Sequence, residues 1–458
     1  MKKKIGLFLF FTVYLLIIIF RLANHFPWFD EAHAWIIAQE APLNQLLSVI
    51  RAEGHPFLWY FILMPFAKTK FLYPYSMYFF NTGFLLIAIY VLWKNAQFNT
   101  LTKMLITLSY PFFALYPIIA RNYSIGIFLL FLLTAYFKDK FKHPILYSIC
   151  ILLCLNSSLM AFFGASLFAG IFLYKTIKKN AIRQNLYGIL IIIFGFILFA
   201  VQFCSKSTAI KLSLNSNLEI LSNLFIKGSL DMNILILLGF SIATVYYLIK
   251  NKQWLSTIFL GFTYLCLIVT FVFIYPAGIW HSYFYYVYFI IAIWLTNSNT
   301  NRFGNILLCI ISFLLIFNYP TSAIAKTLYG NKGLTIYKTI IQDDTLKNAQ
   351  LIHNNGDVYT ILPLAKNNNI NLVNYCNNNN YDLKTIKADN KICKHDDGIN
   401  QARGHFKEFA NVIDKQSILI TTDRYDANKY IISDQKTTLY FEKYKCKDGF
   451  CYWKIYKF

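Results

Sequence analysis

Apolar blocks long enough to cross a bilayer recur through the first two thirds of this chain, and they limit what it can fold into. Ile5 to Ala23, Leu186 to Phe203, Leu255 to Tyr275 and Trp280 to Leu295 approach the length a helix needs to cross roughly 30 Å of hydrocarbon. They are apolar all round, as expected of helices bathed in lipid or buried in a bundle. With 57% apolar and 14% charged residues, the 458-residue chain has too little polar surface to coat a soluble globule.

The formal charge of +22 does not point to nucleic acid, because Lys and Arg fall in short tufts between apolar blocks, as in cytoplasmic loops. The tufts are Lys2, Lys3 and Lys4; Lys94 and Lys103; Lys138, Lys140 and Lys142; Lys175, Lys178, Lys179 and Arg183; Lys250 and Lys252; and Arg302. Placing every tuft inside predicts eleven spans, near 5–23, 76–93, 104–119, 122–137, 145–156, 158–174, 186–204, 233–249, 255–275, 280–296 and 303–318. The N-terminus is then cytoplasmic and the C-terminal region extracytoplasmic. The apolar segment His55 to Phe71 would reverse the later tufts if it crossed, so it is expected to be a short re-entrant or interfacial helix. The first block follows a basic stretch without a small-x-small cleavage site, and is expected to be a retained anchor of an inner or plasma membrane protein.

The expected fold is an all-α polytopic membrane bundle over residues 1–320, followed by a small extracytoplasmic α/β domain over 321–458. The bundle includes an outer loop, 24–56, in which Glu31 to Glu40 and Leu43 to Ala52 have helical spacing broken at Pro42, predicting two interfacial helices. Beyond Pro320, Asn, Asp and Lys rise and apolar runs shorten to strand length, as in Ile418 to Thr421 and Thr438 to Phe441. Four of the nine cysteines, Cys376, Cys393, Cys446 and Cys451, lie in this tail. An even number in an extracytoplasmic domain fits two disulfides, expected as 446–451, closed across an Asp-Gly turn, and 376–393.

Acidic residues carry the functional signal. Only seven occur in the first 318 positions, and four of those, Asp30, Glu31, Glu40 and Glu53, lie in the outer loop. Carboxylates beside hydrocarbon are costly, so their concentration at one face needs a reason. The same loop brings His33 and His55, giving Asp30-Glu31-Ala32-His33 and Glu53-Gly54-His55-Pro56. Such groups can act as general bases or hold a divalent metal. Adjacent carboxylates on a helix diverge by about 100°. A division of labour is therefore expected, with Asp30 in the turn before the helix aimed at chemistry and Glu31 in its first turn; the alternative is that Asp30 is an N-cap and Glu31 a partner of the helix dipole.

An Asp-Glu pair after the first span, followed by His55-Pro56 opening the next apolar segment, resembles the GT-C superfamily of polyprenyl-phosphate-dependent glycosyltransferases, in its protein mannosyltransferase-like and aminoarabinose transferase-like branch. Ala120-Arg121-Asn122-Tyr123 is similar to that branch's Arg-x-Tyr segment. The chain departs from the pattern at Phe57, where a second Pro is common, and at Trp280, where a basic residue often precedes the late His281.

The resemblance implies a GT-C-like bundle that moves a sugar from a polyprenyl-phosphate donor at the outer membrane face to a glycan, lipid or protein acceptor. It implies Asp30 as the base on the acceptor hydroxyl and Glu31 as the group orienting the site. Arg121, with Tyr123, would meet the lipid phosphate, as would His281. Glu53 and His55 would hold the phosphate region or a divalent ion; no cofactor is required outright. No Gly-rich phosphate loop or dinucleotide fingerprint is present, as suits a lipid-phosphate donor. The alternatives are a lipid-sugar flippase, or a non-catalytic envelope assembly protein working through its tail. The spans hold few charges at their centres, unlike most transporters.

Overall fold

The computed structural model describes residues 2–51, 53–203, 232–274, 278–296, 301–317 and 341–342, and parts of the tail: 350–353, 361–368, 370, 372–374, 379–380, 417–422, 438–443 and 453–457. The chain is mostly helical. In order, the helices are α1 (Lys2–Asn24), α2 (Phe29–Glu40), α3 (Leu46–Ile50), α4 (Leu58–Lys68), α5 (Tyr75–Asn95), α6 (Thr100–Leu108), α7 (Tyr123–Ala135), α8 (Pro144–Leu155), α9 (Leu159–Lys178), α10 (Leu186–Phe203), α11 (Met232–Lys250), α12 (Trp254–Val269), α13 (Ile279–Ser282), α14 (Phe284–Trp294), α15 (Asn301–Phe317) and α16 (Leu362–Asn367).

Five of these segments, Lys4–Asn24, Tyr75–Asn95, Leu159–Lys178, Leu186–Phe203 and Trp254–Val272, are long and apolar enough to cross a membrane by length and composition, which marks a membrane protein. Other apolar helices are shorter, and the residues explain why. The segment expected as one span over 104–119 stops at Ser109, whose extended ψ of 150° ends α6, and Pro111 then opens a π-helical turn, Pro111–Leu115. The segment 280–296 is divided at Tyr283 into α13 and α14. α4 is only 11 residues long, about 16 Å at 1.5 Å per residue, which is half of a crossing.

By compactness the chain divides into two units. One comprises Met1–Ala23, Glu53–Ile62 and Met77–Leu328; the other comprises Asn24–Ala52, Leu63–Ser76 and Tyr329–Phe458.

The first unit is a helix bundle held by aromatic packing and side-chain hydroxyls. Tyr283 through Ile293 are buried almost completely, so the run Tyr283-Phe284-Tyr285-Tyr286-Tyr288 is core. Tyrosines often gather in a belt at a membrane interface, but here packing places them in the core. Several hydroxyls that enter the core find partners there. Tyr286 shares a 2.6 Å hydrogen bond with Ser312 Oγ, and Tyr264 donates to the Tyr285 carbonyl at 2.9 Å. Tyr288 donates to the Met160 carbonyl and accepts from the Gly164 amide at 3.0 Å. Only a residue without a side chain fits there: a Cβ on Gly164 would lie 2.7 Å from Leu130 Cδ2 and 2.8 Å from Tyr288 Cε1. α1 joins this unit through Tyr14, which donates to the Phe112 carbonyl at 2.6 Å, and Arg21, which donates to Phe113 at 2.9 Å.

In the second unit, α2 packs against α3 and α16. Strands β1 (Gln350–His353), β2 (Leu372–Asn374), β3 (Asn379–Asn380), β4 (Ser417–Thr422), β5 (Thr438–Lys443) and β6 (Trp453–Lys457) form one sheet in the order β3-β2-β1-β4-β6-β5. β1 is parallel to β2 and β4, while β3, β5 and β6 pair antiparallel with their neighbours. The tail cysteines expected to form disulfides, Cys376, Cys393, Cys446 and Cys451, lie outside the described residues.

Candidate functional site

The residues singled out by sequence fall into three local groups. The first is the start of α2. The helix begins at Phe29, so Asp30 lies inside the first turn, not in the turn before it, and the carbonyl of Trp28 accepts from the amides of Glu31 and Ala32, at 3.1 Å each. The two adjacent carboxylates are set differently. Glu31 is fully buried, and its Oε2 accepts from both the Trp28 amide and His25 Nε2, at 2.9 Å each. A buried carboxylate is tolerated when it is hydrogen-bonded and paired, and the position near a helix N-terminus adds the favourable sign of the dipole. Glu31 is thus tied into the scaffold of the turn. Asp30, pointing about 100° away, remains half-buried.

Other second-unit residues rigidify this turn. Trp35 and Tyr73 pack with ring centroids 5.2 Å apart, and the Tyr73 hydroxyl has its acidity suppressed, first by burial and then by the negative charge of Glu31. At the far end of α2, Lys68 donates to the Ala41 carbonyl at 2.9 Å. Ala32, Ala34, Trp35, Ile36, Ile37 and Ala38 are all fully buried. His33 is buried as well.

The second group is the turn carrying Glu53 and His55, both half-buried. Gly54 between them has φ of +67°, a left-handed conformation that disfavours a side chain, so glycine is what lets the chain reverse there. The turn is fastened from behind. The Phe57 amide donates to Gln202 Oε1 at 2.7 Å, Gln202 Nε2 donates to Asn156 Oδ1 at 2.8 Å, and the Leu58 amide donates to the Asn156 carbonyl at 3.3 Å. Asn156 Nδ2 in turn donates to the Gly195 carbonyl at 3.1 Å. These bonds hold the start of α4 against α8 and α10.

The third group joins Arg121, Tyr123 and His281, all buried in the first unit. Tyr123 Oη and His281 Nε2 are 2.9 Å apart, with the rings edge to face at 5.4 Å. The Gly278 amide donates to His281 Nδ1 at 3.1 Å. Nδ1 therefore carries no proton, and a neutral imidazole donates from Nε2 to the Tyr123 oxygen. Arg121 interacts electrostatically with the same imidazole. Tyr116 packs beside Tyr123, ring centroids 6.1 Å apart, and donates to the Trp280 carbonyl at 2.9 Å. The structure thus unites three residues that are 158 positions apart in sequence at their hydrogen-bonded pair.

Sequence reasoning missed His25, Asn156 and Gln202. His25 stands six residues before Glu31, off the helical period of α2, and could have been found only by counting every titratable group in the loop. Asn156 and Gln202 are amides at the ends of apolar helices, where the cost of an unpartnered polar group is a usable signal. Among the described residues no group of three or more His, Cys, Asp or Glu side chains could hold a metal ion. Compared with family models, curated proteins and solved structures, the chain gives no match.

Proposed function

We propose that this chain is a membrane glycosyltransferase that moves a sugar from a polyprenyl-phosphate donor to an acceptor at the outer face of the membrane. The topology that goes with this reading has eleven crossings, a cytoplasmic N-terminus and an extracytoplasmic tail domain. The observation that supports it best is the unequal setting of the two adjacent carboxylates. Glu31 is spent on the Trp28 amide and His25, whereas Asp30 keeps partial exposure on a turn those bonds hold fixed.

Asp30 is the general base. It takes the proton of the acceptor hydroxyl as the oxygen attacks the anomeric carbon, a contribution of roughly 10²- to 10⁴-fold. The polyprenyl phosphate leaves as the new glycosidic bond forms. Arg121 contributes a positive charge for the phosphate oxygens, and the hydrogen-bonded pair of Tyr123 and His281 holds its surroundings in place. Glu53 and His55, on their glycine turn, bind the donor head group.

Mass analysis of envelope glycans and lipid-linked sugars in cells with and without the gene tests the reading. A lipid-linked sugar that accumulates on the outer face while one glycan loses the same residue supports it. The same glycan loss with the lipid-linked sugar trapped on the cytoplasmic side would replace it with the flippase reading.

A further inference from the structure

At the end of the bundle that carries two of the basic tufts, three lysines converge on an aromatic floor. Lys140, in the turn after α7, is buried, donates to the Phe137 carbonyl at 2.5 Å and sits 3.8 Å from the centroid of the Phe137 ring and 5.4 Å from that of Phe141. Lys175, in the last turn of α9, lies 5.3 Å from the Phe137 centroid, and Lys179, one turn on, lies 4.7 Å from that of Phe141. Phe141 stacks on Phe172 at 5.4 Å. Three ammonium groups therefore share two rings.

Among the described residues none of the three is paired with a carboxylate. The acid of the same turn, Asp139, is bonded instead by Lys142 at 2.6 Å. The carbonyl end of α9 accounts for Lys175 and Lys179, since cations are favoured in a last helical turn. It does not account for a third cation buried among them. Burial first, and then Lys175 and Lys179, push the pKa of the Lys140 amine down to about 8, against an opposing effect of Asp139. Cation–π attraction offsets only part of such repulsion. An anion between the three amines would offset the rest.

We infer that Lys140, Lys175 and Lys179 form a binding site for the phosphate of an anionic lipid head group, with Phe137, Phe141 and Phe172 receiving the first carbons of the lipid. The rings favour a lipid over free phosphate, because an inorganic anion gains nothing from an apolar floor. So does the position: the cluster closes α9, one of the helices able to cross a membrane, at the level where such a helix leaves hydrocarbon. The inference needs only the membrane character of the chain and stands apart from sugar transfer.

The test uses the full chain in a non-ionic detergent, titrated with short-chain phosphatidylglycerol or phosphatidylcholine and followed by native mass spectrometry. Phosphatidylglycerol should be preferred, and K140Q/K175Q/K179Q should lose about 100-fold in its affinity, at about fivefold per lysine near the surface. If the triple variant does not fold, K175Q/K179Q keeps the buried amine and should still lose about 25-fold on the same scale. K250Q/K252Q, which removes two exposed charges in another loop, should keep the preference. Retention of the preference in the lysine variants, or an equal loss in K250Q/K252Q, would overturn the site. Displacement of the lipid by millimolar inorganic phosphate would overturn the lipid assignment in favour of a soluble phosphate ligand.

Discussion

Replacing Glu31 should open the first turn of α2, by an amount that the geometry sets. Its Oε2 serves two donors, the part-buried Trp28 amide and the buried His25 Nε2, both at 2.9 Å. A buried donor left without an acceptor costs about 1–3 kcal/mol, and bonds to a carboxylate lie in the upper part of that range. Partial relaxation of the turn returns some of this, so Glu31→Ala should lower the local opening free energy by about 2–4 kcal/mol. At 1.4 kcal/mol per tenfold, amide exchange over residues 28–34 should accelerate by ~30- to ~700-fold. Glu31→Gln keeps an oxygen of the same shape and should cost about 1–2 kcal/mol, a speeding of ~5- to ~30-fold. Hydrogen exchange followed by mass spectrometry measures this directly, because the Trp28 amide is one of the bonded groups. Exchange in Glu31→Ala within threefold of the parent protein, or Glu31→Gln faster than Glu31→Ala, would refute the reasoning.

Other parts of the fold make their own predictions. Gly164→Ala places a methyl against Leu130 and Tyr288 and should cost about 1–3 kcal/mol in thermal or denaturant unfolding, whereas Gly170→Ala, with nothing within 4 Å, should be neutral or gain up to ~1 kcal/mol. Gln202→Leu strips the Phe57 amide and Asn156 Oδ1 of their partner, and should cost about 2–4 kcal/mol and raise exchange at residues 57 and 58 selectively. Lys140→Met should stabilise the lipid-free protein at pH 7. The sign follows from the lowered Lys140 pKa: between about 8 and the ordinary 10.5 the unfolded chain holds more protons than the folded one. Stability of the parent protein should rise with pH across that window, and the advantage of the Met variant, full below it, should disappear above it; a pH-independent advantage would contradict this.

What the sequence shows and what it hides separate along physical lines. Helix positions follow from apolar block length, and α1, α5, α9 and α10 begin and end within a few residues of the blocks that imply them. Helix integrity is less legible. The break at Ser109 arises from one extended residue two positions before a proline, a local backbone event that an apolar count over 104–119 averages away. The tyrosine run at 283–288 reads as an interfacial belt because Tyr is amphipathic; only the partners Met160, Gly164 and Ser312 make it core. Of the site residues, Glu31 and Asp30 were visible as costly charges. Their different settings were not, because the group that distinguishes them, His25, carries no periodic signal. The pairing of Tyr123 with His281 was likewise hidden, since separation along the chain says nothing about contact across a bundle.

The account turns on one carboxylate, and Asp30→Asn is the most direct test of it. The substitution keeps the size of the side chain while removing the base, and leaves untouched the bonds from the Trp28 amide and His25 to Glu31. Purified protein reconstituted with lipid-linked sugar and acceptor should lose transfer by ~10²- to ~10⁴-fold while exchange over residues 28–34 stays as in the parent. Transfer undiminished by Asp30→Asn would contradict the proposed role of Asp30, and with it the central claim.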